Sequence, residues 1–496
     1  YIPTFAGYEA DVDFHSTDPD DLKRLHNYNV LDSALTLRLA QMFYTQLAAE
    51  PPRLKAAMIE AQCLPLVAWA NWHGIPMDRA ALATLGNDLT TEAAAALVEL
   101  APHGITEKIV RSPKQLSKVM FEDWGLPVLK QNTSKKTGKT TDSTDKEVLH
   151  ELSFIDPRAK YLRQYREALG NKTKFVDAPE TSAEYNGDGK SHPLAIVFST
   201  YTGRVTYVSK QGRNKDERQI GFALHQEKRE ERFRDIAIPP EGYTLVEFDA
   251  AGQEYRWMAI ASGDPAMQHL CMEGEDAHTY MGAQIARRDY TELRAAYAAK
   301  DKDAGSARQL GKVANLSCGY RTSAGKLRVV ARVNYNLPME LPEATHIRET
   351  YLRTYPNVPK YWSRQIERVK RLGYAETFAG RRVQVPGSWV GDGAWSREST
   401  AINYPIQGTG ADQKYLALSV LRGYIVKHGI YFAWELHDGL YFYVPTKIVD
   451  KVIPEMRYLL NNLPYKKAWG FDPPIPLPWD CKASDKSWGQ LKEVKV

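Results

Sequence analysis

The chain has 496 residues, 43% apolar and 25% charged, a composition that excludes a disordered polymer and a length that suggests roughly three domains. A net charge of +5 permits a polyanionic partner without demanding one. Cys63, Cys271, Cys318 and Cys481 lie far apart with no CxxC, which indicates neither a zinc site nor a disulfide framework; a reducing, cytoplasmic setting is the simplest expectation. No signal peptide or spanning segment is legible, and the charge-free run 61–77 contains two prolines and reads as a core helix. The first residue is Tyr1 rather than Met, which suggests a fragment or a processed form.

In chain order, residues 1–50 end in a helical pattern that puts Tyr28 and Asp32 on one face, four residues apart. Residues 56–175 read as mostly helical, with a helix through CLPLVAWANW stopping at Gly74, a residue suited to a left-handed position after a helix. The stretch 130–139 carries Lys130, Lys135, Lys136 and Lys139 among small polar residues. It reads either as a solvated flexible loop or as a grip on duplex phosphates, where lysines add affinity without reading sequence. Residues 191–245 read as short strands and turns, with Thr202-Gly203-Arg204 as their sharpest piece. TLVEFDAAGQEYRWMA then runs as a buried strand to Phe248, breaks at Asp249 and continues as a helix, and a strand ending in Asp is where a sheet presents chemistry.

Arg308, Lys312, Leu316 and Tyr320 recur at a strict spacing of four in RQLGKVANLSCGY. On a helix over 308–320 each step overshoots a turn by about 40°, so the four form one slowly turning stripe. Two cations, an apolar residue and a phenol suit a ligand with a polyphosphate at one end and a flat ring at the other. Taken alone, an amphipathic helix with two solvated cations reads as well. Near the end, YFAWELHDGLYFYV gives two strands joined by a turn at His437-Asp438-Gly439, where Asp438 alone would be a turn former. If the strands of Asp249 and Asp438 are neighbours, the carboxylates face each other. At about 4 Å such a pair costs on the order of 4 kcal/mol at an effective dielectric of 20. Two Mg²⁺ ions about 3.5–4 Å apart would hold it together, and Mg²⁺ takes few carboxylates plus phosphate oxygens and water.

In this order DAAGQEYRWMA, the Arg-Lys-Leu-Tyr stripe and LHDG resemble the three polymerase motifs of family A DNA polymerases; TYPNVPKYW, GYAETFAGRR and AINYPIQGTGAD match the family between and after them. The likeness runs from about residue 60 to the end, with a phage-like texture. It implies an α+β fold, a right hand of palm, fingers and thumb with an antiparallel palm sheet. The thumb would be 56–190 with a basic tip at 130–140, the palm 191–262 and 376–496, and the fingers 263–375 with a gripping helix near 306–320. Residues 1–55 resemble the C-terminal part of the α/β 3′–5′ exonuclease domain joined to bacterial DNA polymerase I, whose last motif Tyr28 and Asp32 match. No Asp-x-Glu pair occurs in the first 60 residues, so this is a remnant without a complete two-metal nuclease site.

Carried over residue by residue, Asp249, Asp438 and the carbonyl of Ala250 would hold two Mg²⁺. Glu254 would pack under the sugar and exclude a 2′-hydroxyl. Arg308 and Lys312 would take the triphosphate, with Lys312 the acid toward pyrophosphate; Leu316 and Tyr320 would flank the new base pair, and His278 would contact the nucleotide. Arg204, Asn403 and Gln407 would face the minor groove, where correct pairs look alike, His437 would touch the primer end, and the four lysines at 130–139 would grip the duplex.

The chain departs from the family pattern at several positions. Ala-Ala-Gly-Gln stands between Asp249 and Glu254 in place of Tyr-Ser-Gln-Ile, Leu316 replaces an aromatic residue, Arg321 a Gly, Gly439 a Glu and Ser399 an Arg. Altered discrimination at the sugar 3′ position and altered base selection are the expected consequences. The resemblance implies a template-directed DNA polymerase of replication, a monomer away from the membrane, with primer–template DNA, dNTPs and replication accessory proteins as partners. A single-subunit RNA polymerase shares the two Asp, but Glu254 argues against it. A silent duplex-binding subunit would not need Asp249, Asp438, Arg308 and Lys312 together.

Overall fold

The computed structural model describes residues 17–133, 138–197, 199–211, 218–391 and 393–494. Asp18, whose carboxylate accepts from Asp20 N at 2.9 Å, starts helix α1 (Pro19–Ala48), none of whose residues is buried. The described part of residues 1–55 is thus this helix and the start of the next, with Tyr28 and Asp32 one turn apart on the first. Helix α2 (Pro51–His73) packs on the long helix Ala394–His428. It stops at Gly74 as expected, at φ +65°, a value L-residues avoid.

Helices α3 (Arg79–Leu100) and α4 (Pro157–Lys172) pack together around Leu100, Leu116, Met120, Leu152 and Leu162, a core separate from the rest. The stretch read as a loop at 130–139 is instead flanked by a hairpin of Gln131–Thr133 with Thr140–Asp142. Lys130 pairs with Asp145 at 2.6 Å on the surface. Lys135 and Lys136 lie outside the described residues, and Lys139 is exposed beside them.

Strand β1 (Tyr243–Ala250) is the middle of a five-stranded antiparallel sheet. After it come helices α5 (Gln253–Ser262), α6 (Ala277–Ala286), α7 (Lys302–Cys318) and α8 (Ala394–His428). Strands β2 (Tyr431–Leu436), β3 (Gly439–Pro445), β4 (Trp479–Ser484) and β5 (Lys492–Glu493) complete the sheet in the order β2-β3-β1-β4-β5. Successive side chains of a strand point to opposite faces. Val246, Phe248 and Ala250 therefore join the large core that includes α8, while Leu245 lies with Tyr441, Tyr443, Trp434 and Trp488 on the other face. Helix α8 runs unbroken through Pro405, so Asn403 and Gln407 share a helix as expected.

Helix α7 starts on Asp301, whose carboxylate accepts from Ala304 N at 2.8 Å, and buries Ala307, Gly311, Val313, Ala314 and Cys318. Arg308, Lys312 and Leu316 lie half-buried on it. The expected helix to Tyr320 ends early: Gly319 is the cap, and Tyr320 sits in the turn beyond it. Among the described residues no helix is long and apolar enough to cross a membrane.

Candidate active site

Strands β3 and β1 pair with Gly439 opposite Asp249, and Ala250 N donates to Asp438 O at 3.1 Å. This register brings the two acids, 189 positions apart, to adjoining backbone positions, meeting the condition the sequence left open. A Cβ on Gly439 would lie 3.4 Å from Asp249 Oδ1, so the Asp249 carboxylate lies across the hairpin that carries Asp438. The hairpin tip is strained: His437 takes φ +52°, a conformation that costs a non-glycine residue about 1–3 kcal/mol. Lys414 of α8, only 2% exposed, holds the tip by donating to His437 O at 2.7 Å and Glu435 Oε1 at 3.0 Å. Sequence reasoning missed Lys414, one cation among many on a long helix.

Burial, then the charges of Asp438 and Glu247, push the Asp249 carboxyl up to about 7. Burial raises Asp438 as well, although Arg204 opposes it. Among the described residues neither carboxylate accepts a hydrogen bond, and no group of three or more His, Cys, Asp or Glu side chains gathers as a metal cage. A pair of half-buried carboxylates that resist ionisation on their own fits a hard divalent cation whose other ligands come from phosphate and water.

Glu254, in the first turn of α5, is the hub beside this pair. Its Oε1 accepts from Arg204 Nη2 at 2.6 Å and faces Gln407 Nε2 at 3.4 Å; its Oε2 accepts from the Tyr320 hydroxyl at 2.7 Å. Arg204 also reaches Asp438 Oδ1 at 3.8 Å. Burial works against the Arg204 charge, but Glu254 and Asp438 outweigh it and hold its pKa above the usual value. Asn403 Oδ1, one turn from Gln407, is buried without a hydrogen-bond partner.

On the opposite wall α6 and α7 cross at Gly282 and Gly311, where a Cβ on Gly311 would overlap the His278 carbonyl. The close crossing sets His278 beside Asn315, whose Nδ2 donates to Ala277 O at 2.9 Å and lies 3.1 Å from His278 Nδ1. The carbonyl fixes the amide orientation, so Nδ1 accepts and the proton sits on Nε2. Burial holds this imidazole neutral, near 4. Burial, then Arg229 and Arg308, lowers the Lys312 ammonium, while Asp276 takes Arg308 Nε at 2.7 Å. Asp276, two positions before His278, is a second residue that sequence reasoning missed. His437, exposed at the hairpin tip, is lowered to about 4 by desolvation within the cleft and by the cations Arg229, Arg204 and Lys414.

The family model for DNA polymerase family A matches residues 79–490. The chain is 28% identical over 402 residues to the thermostable DNA polymerase I of Thermus aquaticus, which covers 79% of this chain and 44% of that protein. It is 26% identical over 442 residues to DNA polymerase I of Pseudomonas aeruginosa, covering 88% and 45%. The chain spans about half the length of the curated relatives it matches. A solved structure described as the POL domain of Pol1 from M. smegmatis in complex with DNA primer-template and dNTP superposes with a TM-score of 0.74 at 22% identity, over 93% of this chain and 76% of that one. The fold is therefore the α+β fold of a DNA polymerase I polymerase domain. With the family model matched over most of its length, the chain belongs to DNA polymerase family A.

Proposed function

We propose that this chain is a template-directed DNA polymerase that adds dNTPs to a primer 3′ end. One observation carries the reading. An unbroken series of contacts, Tyr320 to Glu254 to Arg204 to Asp438, links the end of the cationic helix α7 to the carboxylate pair. In this assignment the sheet and α8 form the palm (191–262 and 376–496), residues 263–375 the fingers and 56–190 the thumb.

The primer 3′-oxygen attacks the α-phosphorus of the dNTP; the bond to the bridging oxygen breaks and pyrophosphate leaves. Two Mg²⁺ ions held by Asp249, Asp438 and the Ala250 carbonyl would lower the pKa of the attacking hydroxyl and stabilise the leaving phosphate. Arg308 and Lys312 hold the triphosphate, and His278 donates from Nε2. Lys312, whose ammonium is already made more acidic by burial and nearby cations, gives its proton to pyrophosphate. Leu316 and Tyr320 bound the new pair, Asn403 and Gln407 test it from the minor groove, and His437 meets the primer end. Glu254, fixed from both sides, leaves no room for a 2′-hydroxyl.

Primer–template DNA and dNTPs are the partners in this proposal, and the M. smegmatis neighbour is a complex with both. Accessory proteins of replication and a cytoplasmic site of action go with it; the four cysteines are all free and buried. Tyr28 and Asp32 on α1 stand in this reading as the last motif of an incomplete 3′–5′ exonuclease remnant. Extension of a templated primer with dNTPs but not rNTPs, together with rNTP use gained by Glu254→Ala, tests the reading. Equal use of both by the unaltered chain would favour an RNA polymerase-like enzyme.

A further inference from the structure

One guanidinium ties together three distant chain segments behind Glu254. Arg381 lies in the turn joining strands Tyr374–Glu376 and Arg382–Gln384, with its side chain only 14% exposed. Its Nη2 donates to the carbonyls of Thr202 and Gly408, both at 2.8 Å, and its Nε donates to Asp412 Oδ1 at 2.7 Å. Glu60 Oε1 lies 3.4 Å from Nε, and the Tyr404 ring centre lies 5.6 Å from the guanidinium carbon. Gly203 has φ +79°, and a Cβ there would overlap the guanidinium, so Arg381 lies against bare backbone. Tyr415 pins the same turn by donating to Gly203 O at 2.8 Å.

The two carbonyls belong to the immediate surroundings of two residues that converge on one oxygen. Thr202 is two positions before Arg204, and Gly408 directly follows Gln407. Arg204 Nη2 and Gln407 Nε2 both point at Glu254 Oε1, at 2.6 and 3.4 Å. The hold of Arg381 Nη2 on both segments therefore sets how far apart they stand around Glu254. We propose that Arg381, itself fixed by Asp412, is a positioning residue that orients Glu254 through Arg204 and Gln407 and thereby sets selection against the ribose 2′-hydroxyl. This rests on the polymerase reading of the site. A lysine cannot replace it: one ammonium lacks the planar fork that serves Asp412 from Nε and two carbonyls from Nη2.

The test compares Arg381→Lys and Asp412→Asn with the unaltered chain, each alone and combined with Glu254→Ala. Kinetic constants are measured for a dNTP and the matching rNTP, and amide hydrogen exchange is followed over residues 200–204. Arg381→Lys should lower the ratio of dNTP to rNTP kcat/KM by about tenfold, the scale of one charged hydrogen bond, with Asp412→Asn acting in the same direction. In the Glu254→Ala background neither change should alter the ratio further. Exchange over 200–204 should speed up while peptides of α7 stay unchanged. An unaltered ratio, or the same loss with Glu254 already removed, would overturn the proposal. If the unaltered chain fails to extend a primer, the polymerase reading falls by itself. Exchange then decides the positioning role, because unchanged protection over 200–204 in both variants would overturn it.

Discussion

Arg308 donates from Nε to Asp276 Oδ2 at 2.7 Å, and the same carboxylate caps α6 by accepting from His278 N at 3.0 Å and from Thr279 N at 3.2 Å. One acid thus fixes the start of one helix and the cation of the next, and the pair to Arg308 uses Nε, not the two Nη groups that would meet a triphosphate. Asp276→Asn keeps a good cap but removes the charge, so KM for dNTP should rise about tenfold with a smaller change in kcat. Asp276→Ala should in addition lower stability by about 1 kcal/mol, read by denaturant unfolding. An unchanged KM in Asp276→Asn would show that Arg308 needs no such orientation.

The α6–α7 crossing makes a second prediction. A Cβ on Gly311 would overlap backbone of α6, whereas one on Gly305, in the same helix, meets nothing within 4 Å. Gly311→Ala should cost about 1–3 kcal/mol through overpacking and weaken dNTP binding. Gly305→Ala should be stabilising by about 0.5–1 kcal/mol, since alanine is the better helix former. Unfolding midpoints of the two variants compare them directly; equal effects would contradict the close crossing.

Stability against pH reports on the carboxylate pair. The folded Asp249 carboxyl titrates at about 7 against an ordinary value of 3.8. Between those values the folded protein keeps a proton that the unfolded chain has lost. The contribution is therefore full at low pH and is lost as pH rises toward the folded value. Glu60, also near 7, adds slope of the same sign. His278 and His437, held near 4, add slope of the opposite sign up to about pH 6.5, so the Asp249 part is read as a difference. Between pH about 5.5 and about 7.5 metal-free protein should lose melting temperature relative to Asp249→Asn, with Mg²⁺ restoring more at the higher pH. Asp249→Asn should remove part of the slope and the Mg²⁺ response. A slope unchanged by that substitution would contradict the arrangement.

The strands of the two acids were legible in the sequence because apolar runs end at Asp249 and at a His-Asp-Gly turn; that β1 and β3 are neighbours was a condition there, since a partner 189 positions away leaves no local signal. The stripe on α7 was legible as far as Leu316. Its end was not: Trp362 Nε1 donates to Gly319 O at 2.7 Å, a partner 43 positions away that takes a carbonyl just past the last helical turn. The hairpin flanking 134–137 escaped notice because its strands are only three residues each, paired as Thr133 with Thr140 and their neighbours, too short for a period. Arg381 was quoted only as part of a matching motif. Its partners Thr202 and Gly408 lie 179 and 27 positions away, and no spacing rule joins them.

The most direct measurement is extension of a primer on a template with dNTPs and Mg²⁺, run beside Asp438→Asn. The account predicts templated extension by the unaltered chain and loss of about a thousandfold or more in the variant, with duplex binding retained. Tight duplex binding without extension by either protein would contradict it and leave a DNA-binding subunit in place of a polymerase.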